Sequence, residues 1–397
     1  MPTDPLDSSP FPFPAPTGSS VDVLIIAGEY SGDEHAARMV SAALKRNPAL
    51  KVAAAGGVNL KNAGAELICD MMPYAIVGIF EVLKHYSELK KLHDEIVNWI
   101  LKYRPSAVCF VDYPGLNLRL AKKLAEHGVT TKSGGDIRLL YYISPQVWAW
   151  KAKRRFEMAG LIDTLGVIFP FEVQTFEDTG LETKFVGHPF LAENYQLPTI
   201  YDPDGDVLLL PGSRSGAIAR IAPVMFQAFE ELLRDQKDAR AKCMYASDTL
   251  KELLESILSK LGDLKERIEL VPNSTVVKAS SVLTSSGTMS LNCALAGIPG
   301  AVVYRIHPLT YLFGKMVLKI PYIGIANILL HQAFYPEFIQ GAAKARVLAD
   351  ELLDCLNNAS RIEKTRELSG DLRSILDKPA SGGVGGWLNE NVSKERS

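Results

Sequence analysis

Short apolar runs, each followed within a few residues by a helical stretch, recur along this chain, and the pattern starts twice. The first run, residues 21–27 (VDVLIIA), reads as a strand buried on both faces of a parallel sheet, since a strand covered by helices on each side has no wet face to alternate with. The turn GEYSGDE and the helical stretch HAARMVSAALKR follow it. Next come KVAAAGG, a helix-rich region over residues 76–103, the run AVCFVD, the helix LNLRLAKKLAEHG, and the strands IRLLYYIS and TLGVIF. Strands alternating with helices in this way make βαβ units and therefore parallel sheets.

Residues 197–206 (LPTIYDPDGD) are dense in turn formers and read as a linker. The alternation then begins again. DVLLLPGSRSG is a strand and a turn, and the helix that follows carries Ile218, Ile221, Met225, Phe229 and Leu232 as one apolar stripe at three- and four-residue spacing. Further units follow at CMYAS, IELVP, ASSVLTSSGT and AVVYRI. A chain of 397 residues has room for two such domains. The expected architecture is α/β, with two doubly wound, Rossmann-like domains facing each other across a cleft. A disordered tail is expected over residues 1–20, one domain over 21–196 and the other over 206–375. Residues 376–397 would pack on an N-terminal domain. Four glycines in KPASGGVGGWLNENV make that segment a poor helix by itself, at ~1 kcal/mol each relative to alanine, so packing must hold it if it is helical.

Several function classes fall away. A net charge of −2 gives no global electrostatic case for nucleic acid. The five cysteines show no CxxC or other metal-ligand spacing and sit mostly in apolar runs, so they read as buried thiols. No apolar run approaches the ~20 residues of a membrane-spanning helix. The first twenty residues lack the basic and apolar regions of a signal peptide, and their prolines and serines read as a flexible tail, which leaves the cytoplasm as the expected location. GxxxxGK[ST] and the Rossmann GxGxxG in its required context are both missing, which argues against kinase and dehydrogenase chemistry.

Five places could carry chemistry. Ser285, Ser286, Gly287 and Thr288 lie where a helix begins after a strand, and free N–H groups there form an anion site suited to a diphosphate; the alternative is a helix capped by its own Ser and Thr side chains. Leu210-Pro211-Gly212-Ser213-Arg214 also joins a strand to a helix, and Arg214 either clamps phosphate oxygens or is a surface loop arginine. Glu29 and Asp33 follow the first strand, where they line a site or, in the case of Asp33 or Ser31, cap the next helix. Asp112 ends another strand before Tyr113-Pro114-Gly115 and is either a general base or a turn-starting aspartate. The aromatic block 142–150, with Trp148 and Trp150, is followed by Lys151, Lys153, Arg154 and Arg155; it suits a phosphorylated, greasy ligand or an anionic lipid surface, or is core beside a solvated helix start. In addition, Ile76, Val77, Ile79, Phe80, Val82 and Leu83 cover more than one helical face, as core or as a membrane-docking patch.

At these motifs the sequence resembles the lipid-A-disaccharide synthases, from about residue 23 to 340 and more weakly beyond. The resemblance rests on AGEYSGD, AIVGIFEVL, DYPGLNLRLAKKL, YYISPQVWAWK with Arg154, FPFE, FVGHP, LLPGSR, SSGTMSL, YRIHPLTY, and KIPYIGIANIL followed by PEFIQ, in that order. It implies a GT-B glycosyltransferase that transfers the sugar of UDP-2,3-diacylglucosamine to 2,3-diacylglucosamine 1-phosphate with inversion, releasing UDP and requiring no metal or other cofactor. Such enzymes sit peripherally on the cytoplasmic face of the inner membrane. The resemblance makes Asp112 the candidate base and Glu29 a second polar residue of the site. Arg214 with Ser213 and the N–H groups near Ser286, Gly287 and Thr288 would stabilise the leaving UDP, and Asn327 would meet a sugar hydroxyl. Trp148 and Arg154 belong to the implied substrate contacts. Three positions depart from the family. Asn292 stands where a glutamate usually grips the ribose, Gln332-Ala333 replaces an Arg-Glu pair, and Gly115 replaces an aspartate. A homodimer exchanging its C-terminal element is conceivable. Two alternatives are a GT-B-fold nucleotide-sugar 2-epimerase, which would need no acyl-chain surface, and a degenerate UDP-sugar-binding protein without turnover.

Overall fold

A computed structural model describes residues 12–18, 20–75, 86–193, 195–306, 321–377 and 382–393. The chain divides into two compact units, the first made of Met1–Ala192 with Leu376–Ser397 and the second of Glu193–Ile375. Each is built on one parallel sheet, so the two-domain α/β class expected from the alternation is what the chain adopts.

Unit 1 holds β1 (Val23–Ala27), β2 (Val52–Gly56), β3 (Glu66–Asp70), β4 (Ala107–Val111), β5 (Arg138–Tyr142), β6 (Thr164–Val167) and β7 (Glu182–Phe185), in the order β3-β2-β1-β4-β5-β6-β7. The first strand shows why its sequence lacks a polar face. Val23, Ile25 and Ala27 point into a core with Met39, Val40 and Trp387, while Leu24 and Ile26 point into a second core with Ile96, Leu120 and Phe110. Both faces are covered, so both sets of alternate residues are apolar.

Unit 2 repeats the design with β8 (Thr199–Leu210), β9 (Ala241–Tyr245), β10 (Ile268–Pro272), β11 (Val277–Thr284), β12 (Gly300–Tyr304) and β13 (Glu337–Ile339), ordered β10-β9-β8-β11-β12-β13. The stripe Ile218, Ile221, Met225, Phe229 and Leu232 lies on the Ser215–Leu232 helix and is buried with Leu209 and Leu283 of the sheet. Residues 197–206 are not a linker. Most of them form the first half of β8, paired with β11 across two register shifts, between Lys278 and Ala279 and between Ala279 and Ser281. Turn formers fit there because the irregular ladder makes room for them, and a Cβ on Gly205 would stand 2.9 Å from the backbone nitrogen of Ala279.

The N-terminal tail also departs from expectation. Residues 12–18 are anchored to unit 1: Phe13 is buried in its core, Trp99 Nε1 donates to the Pro14 carbonyl at 2.9 Å, and the Thr17 backbone N–H and hydroxyl donate to the Glu66 carboxylate at 2.8 and 2.9 Å. Proline and phenylalanine read as a loose, low-complexity end, but a proline segment has little entropy to lose and a phenylalanine much area to bury.

The glycine-rich C-terminal stretch is a helix, Gly383–Ser393, laid against the Tyr30–Arg46 helix. Its glycines are what allow the contact. A Cβ at Gly385 would stand 2.6 Å from the Ala42 carbonyl carbon, and the Trp387 ring covers Gly166, where a Cβ would be 3.2 Å from the indole. Asn389 Nδ2 donates to the Ala43 carbonyl at 3.0 Å. Close backbone approach thus offsets the poor helix propensity. All five cysteines are free and buried. No helix among the described residues is long and apolar enough to cross a membrane. The proposed docking residues Ile76, Val77, Ile79, Phe80 and Leu83 lie outside the described residues.

Gly385→Ala tests the packing account. Propensity alone predicts a gain of ~1 kcal/mol, whereas overpacking against the Ala42 backbone predicts a loss of about 1–3 kcal/mol. The second effect should win, seen as a lower denaturant midpoint; a midpoint equal to or above that of the parent chain would show that the helices are free to separate.

Candidate active site

In an open parallel sheet the strand order reverses beside the first strand, and the loops leaving the two strands at that point diverge, opening a crevice at their carboxyl ends. In unit 1 those strands are β1 and β4, paired with Ala27 opposite Val111. Glu29 follows β1 and Asp112 follows β4, so the fold brings the two candidate carboxylates together. In unit 2 they are β8 and β11, with Leu210 opposite Thr284. The loop of Ser213 and Arg214 and the loop of Ser286, Gly287 and Thr288 are the two that leave them.

The unit 1 site is built on strained backbone. Asp112 and Tyr113 have φ of 47° and 43°, the left-handed region that side chains other than glycine rarely adopt. Such residues cost of order 1–3 kcal/mol each and persist only where their surroundings fix them. Here the Asp112 N–H donates to the Tyr142 carbonyl at 2.9 Å, extending the ladder past the end of β4. The Asp112 carbonyl accepts from Tyr141 Oη at 2.6 Å and from Asn117 Nδ2 at 2.7 Å. Pro114 opens the helix that follows, Pro114–Glu126. Gly28 is required beneath it, since a Cβ there would stand 2.6 Å from Tyr113 Cδ1.

Burial pushes the Asp112 carboxyl up to about 6, the nearby charge of Glu29 pushes it the same way, and the Tyr113 N–H pulls it down. Glu29 is the N-cap of the Tyr30–Arg46 helix but makes no side-chain cap. Burial and Asp112 raise the Tyr141 hydroxyl, and Arg154 opposes them, which sets Arg154 within electrostatic reach of the same group. Arg154 is the first residue of the Arg154–Leu161 helix. Trp148 is half-buried with its ring edge-on to Phe171, centroids 5.3 Å apart. Thus Asp112, Glu29, Arg154 and Trp148 gather at one end of the unit 1 sheet.

Asp33 has another task. It lies inside the first helix and caps a different one: its carboxylate accepts from the backbone N–H groups of Gly57 at 2.6 Å, Asn59 at 3.1 Å and Leu60 at 3.3 Å. The motif histidine His188 accepts the Phe190 N–H on Nδ1 at 3.1 Å, and burial pushes its imidazole down to about 3, so it is neutral.

In unit 2 the two loops touch. The Ser285 N–H donates to the Leu210 carbonyl at 2.8 Å, and Gly212, with φ of 117°, passes close to Ser285. Gly287 is the N-cap of the Thr288–Leu295 helix, with no side-chain cap; the Ser290 hydroxyl turns back to the Gly287 carbonyl at 2.6 Å instead. The self-capped alternative therefore does not describe this helix. Arg214 is the exposed N-cap of the Ser215–Leu232 helix, again without a side-chain cap, and Ser213 beside it is exposed.

Two candidates sit differently. Asn327 is 1% exposed and saturated: Nδ2 donates to the Tyr335 carbonyl at 2.7 Å and to Glu337 Oε1 at 2.8 Å, while Oδ1 accepts the N–H groups of Phe334 at 2.8 Å and Tyr335 at 2.9 Å. An amide has two donors and two acceptor sites, so none is left for a sugar hydroxyl. Asn327 is corrected from a substrate contact to the brace of the Phe334–Glu337 stretch. Asn292 is also 1% exposed, and its Oδ1 accepts from Tyr195 Oη at 3.0 Å. Sequence reasoning passed over Tyr141, Asn117, Tyr195, Glu337 and Glu172. All but Tyr195 lay in quoted motifs: Tyr141 in YYISPQVWAWK, Asn117 in DYPGLNLRLAKKL, Glu337 in PEFIQ, and Glu172 in FPFE, where a carboxylate amid aromatic residues was itself a signal.

A family model described as lipid-A-disaccharide synthetase matches residues 23–380. A lipid-A-disaccharide synthase of Geobacter sulfurreducens is 34% identical over 389 residues, covering 94% of this chain and 98% of its own. That of Syntrophus aciditrophicus is 33% identical over 371 residues, with 90% and 94% covered. Among solved structures, a putative UDP-N-acetylglucosamine 2-epimerase of Listeria monocytogenes superposes with a TM-score of 0.62 at 13% identity, covering 95% of this chain and 98% of that one. The calicheamicin glycosyltransferase CalG4 gives 0.52 at 15%, with 94% and 99% covered. These two likenesses establish a shared GT-B fold.

Asn327→Asp should separate brace from substrate contact. It removes both donors and sets a carboxylate against Glu337, which should cost ~2–4 kcal/mol of stability. Calorimetry of the free protein reads this directly; an unchanged melting temperature with lost turnover would return Asn327 to the substrate.

Proposed function

The chain belongs to the lipid-A-disaccharide synthetase family, and from that membership we propose how its two units share the reaction. It is a glycosyltransferase of lipid A biosynthesis that uses a nucleotide-sugar donor. In the proposed reaction the donor is UDP-2,3-diacylglucosamine and the acceptor 2,3-diacylglucosamine 1-phosphate. The acceptor 6-hydroxyl oxygen attacks the anomeric carbon, the bond from that carbon to the diphosphate breaks, and the hydroxyl proton passes to an enzyme carboxylate. The products are a β(1→6) disaccharide 1-phosphate and UDP.

Asp112 is the base in this reading. The observation that carries it is its place at the end of β4, held in strained backbone beside Glu29, where burial pushes its carboxyl up to about 6. A base works best when its proton affinity approaches the working pH while it stays ionised there, and an ordinary aspartate is too weak a base for that. Glu29 acts through charge, raising the affinity of Asp112 for the proton. In unit 2, Arg214 and the first amides of the Thr288–Leu295 helix take the negative charge that develops on UDP, the role such preorganised donors serve best. Trp148 and Arg154 serve the acceptor, the indole against its apolar part and the guanidinium toward its phosphate.

Both substrates carry acyl chains, so the enzyme works where lipids lie, on the cytoplasmic face of the inner membrane. Exposed Trp150 and Phe156 beside Lys151, Lys153 and Arg155 support that reading, since aromatic rings and cations together favour an anionic lipid surface. The epimerase alternative rests on fold likeness alone, while the family match covers residues 23–380.

Mass spectrometry of the product from the two acylated substrates is the direct test: a disaccharide 1-phosphate with equimolar UDP is expected, and a 2-epimerised UDP-sugar or no product would overturn the reading. kcat/KM should rise tenfold per pH unit up to about 6, where Asp112 becomes ionised, and then level off. Asp112→Asn should lower kcat ~10²-fold or more and abolish that limb. Arg214→Ala should raise the barrier by ~2–4 kcal/mol, chiefly in kcat, and near-parental turnover would remove it from the diphosphate.

A further inference from the structure

Glu172 is the second residue of the Phe171–Phe176 helix, which follows β6, and it is 1% exposed. A buried carboxyl needs a reason. Its Oε2 accepts the Phe169 N–H at 3.1 Å, and its own N–H donates to the Phe169 carbonyl at 3.1 Å, so the turn Phe169-Pro170-Phe171 is closed from both sides. Phe169 and Phe171 stack with centroids 5.7 Å apart and planes 3° from parallel, and Phe171 takes the edge of Trp148 at 5.3 Å. The Trp148 indole nitrogen is buried and near enough to Glu172 to influence its ionisation, yet outside hydrogen-bond geometry.

We propose that Glu172 is a positioning residue for the acceptor side of the unit 1 site, clamping the Phe169–Phe171 turn and through it fixing the Trp148 ring on the side that holds Asp112. The proposal rests on the reading of Trp148 and Asp112 given above. Glu172 does this as a neutral acid. Burial pushes its carboxyl up to about 8, the charge of Asp112 adds to the rise, and the amides of Phe169 and Ile168 with the Trp148 indole oppose it. His188 also packs on the turn, against the Phe169 ring at 5.3 Å, and burial keeps it neutral. A protonated Glu172 therefore fills the turn without setting another negative charge beside the base.

The sign of the stability effect follows. The folded chain holds this proton up to about 8, whereas the unfolded chain releases it near the ordinary 4.5, so stability attached to it declines as pH rises between those values. Glu172→Gln keeps the shape and abolishes the titration. Its melting temperature should gain on that of the parent steadily from pH 5 to pH 8. In steady-state assays Glu172→Gln should keep the acceptor KM within ~3-fold, and Glu172→Ala should raise it ~10-fold with the donor KM unmoved. An acceptor KM unchanged in Glu172→Ala, or no pH-dependent gain in Glu172→Gln, would overturn the proposal. If Glu172→Ala does not fold, Glu172→Gln alone decides through its acceptor KM and melting profile. Absence of disaccharide from the parent enzyme would instead strike the proposed function, so the two failures are distinct.

Discussion

A parallel sheet cannot bring the outer ends of its two central strands together, because each connection must cross to its own side. The loops leaving those strands diverge, and in both units candidate polar groups follow the two strand ends. Unit 1 puts Glu29 and Asp112 after β1 and β4, and unit 2 puts the loops of Arg214 and Gly287 after β8 and β11. The same scaffold thus yields two chemically opposite sites. One sets two carboxyls at strand ends and raises the affinity of Asp112 for a proton, and the other sets a helix N-terminus beside the loop of a guanidinium.

The backbone at Asp112 shows how such a site is held. Two consecutive left-handed residues would relax if free, so the strain has to be balanced locally. The carbonyl of Asp112 is fixed by Tyr141 and Asn117, its N–H by the Tyr142 carbonyl, and the Tyr113 ring by the space above Gly28. Tyr141 and Tyr142 are adjacent on β5 and point to opposite faces, one bracing the loop through its hydroxyl and the other joining the core beneath Trp387. The strand neighbouring Asp112 therefore holds it through both backbone and side chain.

Much of the fold was legible because burial on two faces leaves a plain mark, an apolar run without alternation, and β1 and β4 carry it clearly. Residues 199–206 lack that mark, since the first half of β8 is only partly buried and is irregularly paired, so turn formers there suggested a linker. The packed tail was hidden for a similar reason: Phe13 and the Pro14 carbonyl find partners far along the chain, at Trp99, which no local pattern announces. Site residues at strand ends were legible as types in places. What could not be read was occupancy. Asn327 has the chemistry of a sugar contact, yet all four of its bonding positions are used by residues 334–337. Asn292 is held by Tyr195, nearly a hundred residues earlier, and nothing local in the sequence predicts that partner.

The departure at position 292 can be understood in the same terms. With 1% exposure, a carboxylate there would be a buried charge needing a cation or several donors, whereas the Asn292 amide accepts from the Tyr195 hydroxyl at 3.0 Å and donates to the Met289 sulfur at 3.8 Å. An amide accepts that hydroxyl at the cost of one neutral hydrogen bond. Asn292 therefore adds no charge to the Thr288–Leu295 helix, on which it is buried. In unit 1 burial likewise favours the neutral form of Glu172 and pushes the Asp112 carboxyl up to about 6.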